Sequence, residues 1–284
     1  MKPNELVTLV LVSYHSEKNL NKFLKQISNN YEIIITENSL NKCLKKEIEE
    51  NYHNVKVLIP KKNLGNGGGI NFALEKVKTK YAFYLDIDIE LSEKSIEHLT
   101  EIAETRNNWS ILAPNLSDYD YNSDHFIERD KQKKLSKMSF VEGCALFFNL
   151  KKLHPYGFYD DRIFLYYEED DLFYKYLKNK LDIILCENIF IKHFGNSSTD
   201  MEYKYQIELN RNWHYMWSKF YYFKKNYSYL RGLKETISHL IKALIKIPLF
   251  YIFNRNKFLI YKNRAMGLLN SYLNKPSSKR PNIK

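Results

Sequence analysis

The sequence predicts an α/β protein in which a Rossmann-like, mostly parallel sheet is flanked by helices and followed by a basic helical extension. Strand-like and helix-like patterns alternate through its first half, as they do in chains that build parallel sheets. Hydrophobic residues make up 44% of the 284 positions, which is enough for a substantial core. Residues 201–284 carry 17 Lys and Arg against 3 Asp and Glu. We therefore expect a body at residues 1–226 and a basic amphipathic extension at residues 227–284.

Four apolar runs in the first half are predicted to be buried strands, and the segments between them have helical spacing. The strands are Val7–Ser13, Glu32–Thr36, Val55–Ile59 and Tyr81–Leu85. The helices are centred on Leu20–Ile27 with Ser16 as N-cap, Leu44–Ile48, Phe72–Val77 and Glu93–Thr105. Strands joined through a helix run parallel to each other.

The second half of the body is less regular. A polar stretch from Ser110 to Lys137 is predicted to be a loop that orders only with substrate. The remaining predictions are strands at Ser139–Asn149 and Ile189–Phe194, helices at Asp170–Lys178 and Met201–Asn226, and a frayed tail at Lys275–Lys284.

Cysteine spacing and the apolar runs exclude several classes of protein. The three cysteines lie far apart in the sequence, which argues against a disulfide framework or a zinc-thiolate site and favours a reducing compartment. The run Leu6–Val12 is too short to span a bilayer and lacks a signal-peptide cleavage site. The run Ile247–Phe253 is equally short and contains Pro248. We therefore predict no transmembrane helix.

The basic extension contains an apolar stripe at helical spacing, with lysines on the other faces of the helix. The stripe consists of Ile237, Leu240, Ile241, Leu244 and Ile245. Pro248 is expected to end or kink this helix. Such a helix favours contact with an anionic membrane surface at headgroup level, and packing of the stripe against the body is the alternative. Because no nucleic-acid-binding motif accompanies the charge, we predict no nucleic-acid partner.

Two carboxylates, Asp86 and Asp88, follow the predicted strand Tyr81–Leu85. Side chains at i and i+2 of an extended chain leave the same face, and open α/β sheets bind ligands at the carboxyl ends of their strands. Carboxylates in this position suit a hard divalent cation such as Mn²⁺ or Mg²⁺ that neutralises a diphosphate. A solvated strand end is the ordinary alternative.

Glycines are concentrated between Asn63 and Asn71, where four of the chain's nine fall within the five positions from Gly65 to Gly69. Between a strand and a helix, such backbone approaches a ligand closely and offers N–H groups to phosphate or ribose oxygens. The spacing lacks the third glycine of the dinucleotide fingerprint and follows the third strand, which argues against a dehydrogenase. A turn without a ligand is the alternative.

Four consecutive acids, Glu168 to Asp171, follow an aromatic run. The N-terminus of a helix offsets part of their mutual repulsion. Crowding of like charges also favours a proton on one of them, which suits a general base acting on a hydroxyl. N-capping by Asp170 or Asp171 is the ordinary interpretation and is compatible with that role.

His193 lies at the end of the predicted strand Ile189–Phe194 and precedes the polar loop Gly195–Ser198. A lone histidine is usually structural or superficial. Its place after a strand makes it a candidate to complete the cation site.

Taken in order, these pieces resemble a family 2 glycosyltransferase of the GT-A fold, closest to its rhamnosyltransferase-like branch, over roughly residues 6–226. Seven pieces carry the resemblance, and their shared order makes the set specific although each is modest. They are Leu11–His15, Thr36–Ser39, Asn63–Gly65 with Gly69–Asn71, Asp86–Asp88, Glu142–Ala145, Phe164–Leu172, and His193 with Gly195 and Ser197.

The resemblance implies a nucleotide-diphosphate sugar donor, a divalent metal and inversion at the anomeric carbon. The implied donor contacts are Ser13, Tyr14, Glu37, Asn63, Gly65, Gly69, Asn71 and Asp86. The implied metal ligands are Asp88, His193 and Asp86, and the base falls within the acid run, at Glu169 or Asp170. We assign Glu168 and Arg211 to an acceptor or phosphate clamp, with ordinary helix surface as the alternative for Arg211.

Two departures from the family pattern bear on these roles. Glu37 stands where the family commonly has Asp, which alters the reach of the nucleotide contact. The family commonly reads Tyr-x-Glu-Asp-x-Asp-Leu near the base. Alignment on Tyr166 and Leu172 makes Glu169 the base, whereas alignment on the Glu-Asp pair makes Asp170 the base.

The predicted activity is transfer of rhamnose or another hexose to a glycan or lipid-linked acceptor in bacterial surface polysaccharide or lipooligosaccharide biosynthesis. The predicted location is the cytoplasm, peripherally on the inner face of the cell membrane. Two alternatives remain. A sugar nucleotidyltransferase shares the nucleotide and metal requirements, and a non-catalytic nucleotide-binding subunit of a membrane assembly binds nucleotide without turnover. The sequence does not predict an oligomeric state.

Overall fold

A computed structural model describes residues 2–27, 30–130, 132–195 and 204–281, with the side chain of Lys204 excepted. In the described part the strands are β1 (Val7–Ser13), β2 (Glu32–Glu37), β3 (Val55–Leu58), β4 (Tyr81–Leu85), β5 (Ile89–Glu90), β6 (Ile111–Leu116), β7 (Phe126–Asp130), β8 (Leu135–Met138), β9 (Ala145–Asn149) and β10 (Ile183–His193). The helices are α1 (Pro3–Leu6), α2 (Glu17–Leu24), α3 (Lys42–Asn51), α4 (Gly65–Leu74), α5 (Glu93–Thr105), α6 (Leu150–Leu153), α7 (Glu168–Lys178), α8 (Lys204–Asn226), α9 (Tyr229–Phe253) and α10 (Arg255–Tyr272).

The strands form one mixed sheet in the order β3-β2-β1-β4-β9-β6-β10-β8-β7, and β5 pairs with β10. Strands β3, β2, β1 and β4 are parallel neighbours, and β9 lies antiparallel between β4 and β6. The predicted α/β class with flanking helices is confirmed. The second half of the sheet adds antiparallel pairs to the parallel half.

The strands of the parallel half are deeply buried. Every residue of β4 is buried, and six of the seven residues of β1 are buried, which is why both strands are nearly continuous apolar runs. Buried side chains of α2, α3 and α5 pack against this half of the sheet. The carboxyl ends of β1, β2 and β4 therefore lie side by side at one sheet edge.

The prediction of a loop from Ser110 to Lys137 is wrong, because the stretch contains β6, β7 and β8. β6 is an interior strand despite Pro114. Its pairing with β9 involves only Ile111 and Leu112, so the missing N–H of the proline lies beyond that ladder. β7 and β8 form a hairpin in which the edge strand β7 is largely exposed and charged, a usual way of protecting an edge from further pairing.

Several predicted boundaries also shift. The strand predicted at Ser139–Asn149 begins only at Ala145, and the one predicted at Ile189–Phe194 is the end of the longer β10. α9 continues through Pro248 to Phe253, so the proline does not end the helix. The start of the helix predicted from Met201 lies outside the described residues up to position 203.

The tail is ordered by contacts with α8 as far as it is described, to residue 281, which contradicts the predicted fraying. His214 is buried and makes two hydrogen bonds to the tail. Nδ1 lies 2.9 Å from the Ser277 hydroxyl, and Nε2 lies 2.8 Å from the Lys279 carbonyl. The Trp217 indole donates to the Lys275 carbonyl. Burial lowers the pKa of His214 to about 3, so this histidine is neutral in the folded chain.

The described chain falls into two compact units. The first is drawn from residues 1–64, 69–158 and 172–199, and it contains the whole sheet. The second is drawn from residues 65–68, 159–171 and 200–284, and in it α8, α9 and α10 pack against one another. The functional division of the chain at residue 226 stays a prediction.

All three cysteines are free thiols. Cys144 and Cys186 are buried, and burial raises the pKa of both, that of Cys186 to about 12. Cys43 is exposed near the start of α3. The predicted absence of a disulfide framework is consistent with these positions.

Candidate active site

Asp86, Asp88 and His193 are brought together by two strand pairings. Asp86 follows β4, and its N–H donates to the Cys144 carbonyl at 2.8 Å. The chain then turns into the short β5, which pairs antiparallel with the end of β10, so that Ile89 lies opposite His193. The Phe194 N–H donates to the Asp88 carbonyl at 3.0 Å. The antiparallel pairing of β5 with the end of β10 thus holds His193 beside both carboxylates.

These three side chains form a compact donor set. His193 Nε2 lies 3.2 Å from Asp88 Oδ1 and 3.7 Å from Asp86 Oδ2, and one ligand atom from each residue lies within 4.8 Å of the others. Loss of hydration raises the pKa of Asp86 to about 6, and the nearby Asp88 charge adds to the rise. The hydrogen bond to Asp88 raises the pKa of His193. Two carboxylates and an imidazole at this spacing fit a divalent cation such as Mn²⁺ or Mg²⁺.

The structure adds residues around this cluster that sequence reasoning missed. The Tyr84 hydroxyl donates to Asp86 Oδ1 and fixes that carboxylate. The charge of Glu142 contributes to the raised pKa of His193, and the Glu142 N–H donates to the Tyr121 hydroxyl at 3.3 Å. The i, i+2 spacing of Tyr84 and Asp86 was a usable signal. Glu142 belongs to the fifth piece of the family resemblance, which gave it no role. Tyr121 lies 21 positions away, and nothing in the sequence pointed to it.

The predicted nucleotide-binding residues meet at the ends of β1 and β2. Ser13 lies opposite Glu37 in the strand register, and Tyr14 hydrogen-bonds the Asn63 side chain. Ser39 donates from its N–H and its hydroxyl to Glu37 Oε1. Ser13 Oγ and Glu37 Oε2 are buried and have no hydrogen-bond partner among the described residues. Buried polar atoms left without partners are costly, which makes them candidates to bind a polar ligand.

The glycine-rich segment forms the first turns of α4, which confirms that it opens a helix after β3. A Cβ on Gly69 would lie 3.0 Å from Val12 and 3.1 Å from Asn38 Nδ2. One on Gly67 would lie 2.9 Å from Tyr159. The Asn66 N–H within this segment donates to the Phe164 carbonyl at 3.1 Å. Close packing of the chain on itself therefore accounts for these glycines, and donor binding by Gly65, Gly69 and Asn71 stays a prediction.

Replacing Gly65 with alanine should destabilise the protein by about 2–3 kcal/mol. Gly65 has φ of +79°, and a Cβ there would lie 2.0 Å from the Phe164 carbonyl oxygen. Gly157→Ala is the matched control, because Gly157 has φ of +67° and nothing lies within 4 Å of the added carbon. Urea unfolding should show a clearly smaller loss for the control. Equal losses would mean that backbone strain alone sets the requirement for glycine at position 65.

The four acids form the first turn of α7, two positions earlier than predicted. Asp171 is buried, and its carboxylate accepts hydrogen bonds from Lys225 at 2.6 Å and from Asn226 at 2.8 Å. Glu168 is also buried, whereas Glu169 and Asp170 are half-buried. The structure thus gives Asp171 a stabilising partner in α8 and leaves Glu169 and Asp170 as the more accessible acids of the run.

The turn before α7 has an unusual backbone. Tyr166 and Tyr167 both have φ of 65°, a left-handed conformation that costs free energy in residues other than glycine. The positive charge of Arg211 in α8 acts on the Tyr166 hydroxyl, so Arg211 lies near this turn. In the same unit the Arg280 guanidinium lies 3.7 Å from the centre of the Phe164 ring.

The predicted site residues therefore fall into two groups. The metal candidates and the Ser13, Tyr14, Glu37 and Asn63 group belong to the first unit, on strands of one sheet or in the segments that follow them. The acid run and Arg211 belong to the second unit. Ser197, part of the seventh sequence piece, lies outside the described residues.

Similarity to known proteins agrees with this geometry. The glycosyl transferase family 2 profile matches residues 8–158. The low-salt glycan biosynthesis hexosyltransferase Agl10 of Haloferax volcanii is 20% identical over 225 residues, which cover 72% of each chain.

Solved structures share the fold at low sequence identity. A mannosyltransferase from Pyrobaculum calidifontis, solved with GDP-Man and Mn²⁺, has a TM-score of 0.60 at 10% identity, covering 96% of this chain and 89% of that one. Residues 1–349 of TarS from S. aureus give a TM-score of 0.53 at 12% identity, covering 95% and 92%. The GT-A fold expected from the sequence is thereby confirmed. The profile match spans more than half of the chain, and the chain belongs to glycosyl transferase family 2.

Proposed function

We propose that this glycosyltransferase moves a hexose, with inversion, from a nucleotide-diphosphate donor to a glycan or lipid-linked acceptor. The observation that carries the proposal is the Asp86, Asp88 and His193 cluster, which lies on the same sheet edge as the buried, unpartnered oxygens of Ser13 and Glu37. Cation ligands beside acceptors for ribose hydroxyls or base N–H groups suit the two halves of a nucleotide diphosphate.

Each group has a distinct part in the proposed mechanism. Asp86, Asp88 and His193 would hold Mn²⁺ or Mg²⁺, which would supply positive charge to offset the negative charge on the diphosphate leaving group. Ser13, Tyr14 and Glu37 orient the nucleotide. Glu169 or Asp170 accepts the proton from the acceptor hydroxyl as its oxygen attacks the anomeric carbon and the bond to the diphosphate breaks. A single displacement of this kind inverts the anomeric configuration, which NMR of the product measures directly.

The donor is proposed to be a nucleotide-activated rhamnose, with other hexoses next in order. The Pyrobaculum mannosyltransferase was solved with GDP-Man, and TarS was also solved with UDP-GlcNAc, so these two donors join the test. The proposed setting is bacterial surface polysaccharide or lipooligosaccharide assembly on the inner face of the cell membrane. Support comes from the basic extension, which suits a lipid-linked acceptor.

A thermal-shift panel of nucleotide sugars tests the proposal. A donor at about 100 times its Kd stabilises the native state by about 2.7 kcal/mol, a shift of a few degrees. We expect the shift to require both a nucleotide sugar and Mn²⁺ or Mg²⁺. No shift with any donor, together with pyrophosphate exchange from a nucleoside triphosphate, would replace the proposal with a sugar nucleotidyltransferase.

Replacing Ser13 with alanine should weaken donor binding by about five- to tenfold without lowering stability. The buried hydroxyl has no partner among the described residues, so its removal costs the free protein nothing and removes about 1 kcal/mol from the complex. Ser110→Ala is the control, because the buried Ser110 hydroxyl donates to the Asp182 carbonyl at 2.6 Å. That variant should lose stability and keep its donor affinity. Unchanged donor affinity in Ser13→Ala would remove Ser13 from the binding site.

A further inference from the structure

Helix α9 has two different faces. Gly232, Thr236, Leu240 and Ala243 recur every three or four positions and are buried, on the face that packs against α8 and α10. A Cβ on Gly232 would lie 2.8 Å from Phe220, and the Thr236 and Tyr272 hydroxyls lie 2.9 Å apart. This face of α9 is therefore covered by α8 and α10.

The opposite face of α9 is apolar and exposed. We call it the α9 stripe, and its members are Ile237, Ile241, Leu244, Ile245, Leu249 and Ile252. Their exposed fractions range from 43% for Ile237 to 75% for Ile252. Of the five residues that the sequence predicted as one packed or membrane-facing set, only Leu240 is buried. At 1.5 Å per residue the stripe runs for about 22 Å, and an apolar surface of this length on a soluble protein indicates a binding face.

The charges around the α9 stripe identify what covers it. Lys242 is exposed and Lys246 half-buried beside the stripe, and Arg255 and Lys257 are exposed where α9 meets α10. No Asp or Glu follows Glu235 in the sequence. A second copy of this chain would bring like charges together, whereas anionic lipid headgroups complement them. Lysines beside an apolar stripe place their charges at headgroup level while their stems contact the acyl region.

The same charges decide how the helix meets the bilayer. By length and composition α9 is able to span a membrane, with 25 residues and a mean hydropathy of 1.4 over 18 of them. A spanning arrangement would carry Arg255 and Lys257 through the hydrocarbon region and would separate α9 from α8 and α10. Both changes cost free energy and therefore oppose spanning. With the helix axis in the membrane plane, the stripe faces the acyl chains, and the packed face stays on the protein. Tyr251 and Phe253, both exposed at the end of α9, then lie at the interface where aromatic residues are favoured.

We propose that the α9 stripe docks this enzyme in the plane of an anionic bilayer, on one leaflet. The inference deepens the membrane part of the proposed function, and lipid binding itself does not require sugar transfer. It places a lipid-linked acceptor and the enzyme on the same surface.

Flotation of the full chain with vesicles of phosphatidylcholine containing about 30% phosphatidylglycerol tests the docking. The double variant Ile245→Asp, Leu249→Asp should partition at least about tenfold less. Binding should also fall with pure phosphatidylcholine and on raising salt to about 0.5 M. The matched control is Ile127→Asp, Phe190→Asp, at two apolar positions exposed to a similar degree in the sheet, and it should bind as the parent does. Equal binding by the two double variants would overturn the proposal, as would capture by a second copy without lipid.

The orientation is tested by spin labels at three positions of the stripe. Ile241→Cys, Ile245→Cys and Ile252→Cys, each in a Cys43→Ser background, should report the same shallow depth. A depth that increases steadily toward position 252 would show insertion of the helix end and contradict the in-plane arrangement. Donor-induced thermal stabilisation in the same samples separates the two proposals, because lipid binding without any donor response would reject the proposed transfer and leave the docking intact.

Discussion

Replacing Asp88 with alanine is expected to lower sugar transfer by about three orders of magnitude and to leave the protein folded. The carboxylate is buried, and its hydrogen bond to His193 lies within a cluster that also contains Asp86. Loss of a cation ligand at a leaving group removes several kcal/mol of charge stabilisation, and about 4 kcal/mol corresponds to a thousandfold loss in rate. Initial rates at saturating donor, measured across a range of Mn²⁺ concentrations, provide the readout.

The free energy of unfolding of Asp88→Ala should not fall with its activity. Asp86 and Asp88 repel each other when both are ionised, and the Asp88 charge helps to raise the pKa of Asp86. Removing Asp88 relieves this repulsion and also removes the hydrogen bond to His193, so the melting temperature without metal should change little, and stabilisation by Mn²⁺ should disappear. Asp124→Ala, at an exposed position, controls for the loss of an aspartate. Normal transfer by Asp88→Ala would remove the cluster from the mechanism.

The second large effect is expected in the acid run, where Glu169→Gln or Asp170→Asn should lower kcat by about 10²- to 10⁴-fold. Only one of the two should do so, because a single group accepts the proton. The affected variant should keep its affinity for the nucleotide donor, since the amide preserves shape and removes basicity. Single-turnover transfer with each variant identifies the base that sequence alignment left open between these two positions.

Asp171→Asn is the internal control for this pair. Its carboxylate accepts from Lys225 and Asn226, and removing one partner of a buried ion pair costs up to about 3–5 kcal/mol. We therefore expect Asp171→Asn to melt at a clearly lower temperature and to retain transfer while folded. Normal rates in both Glu169→Gln and Asp170→Asn would mean that neither residue is the base.

The parallel half of the fold was predictable because local patterns and tertiary environment agree there. Val7–Ser13 and Tyr81–Leu85 are mostly apolar and almost entirely buried, and both predicted ranges match the structure. β6 was missed because Pro114 and Asn115 disfavour strands locally, whereas its neighbours β9 and β10 force an extended chain. Tertiary pairing overrides local preference in such a strand.

The candidate site was likewise predictable only in part. Asp86 and Asp88 were identified from their spacing, which the strand geometry preserves. His193 lies near the two aspartates because β5 pairs with β10, more than a hundred residues away in the sequence. The sequence therefore indicated His193 only through its place in the family motif. The ligand-binding interpretation of the glycines was incomplete. Composition does not show whether a glycine makes space for a ligand or for another segment of the protein. Gly65 and Gly67 face the segment from Tyr159 to Phe164.

The distribution of thiols gives this enzyme a natural labelling position. Cys144 and Cys186 are shielded and resist deprotonation, whereas the sulfur of Cys43 is open to solvent. A maleimide dye should therefore attach at one position of the unmodified chain, on the helix after β2. Fluorescence anisotropy from that dye would follow tumbling on vesicles without any engineered residue.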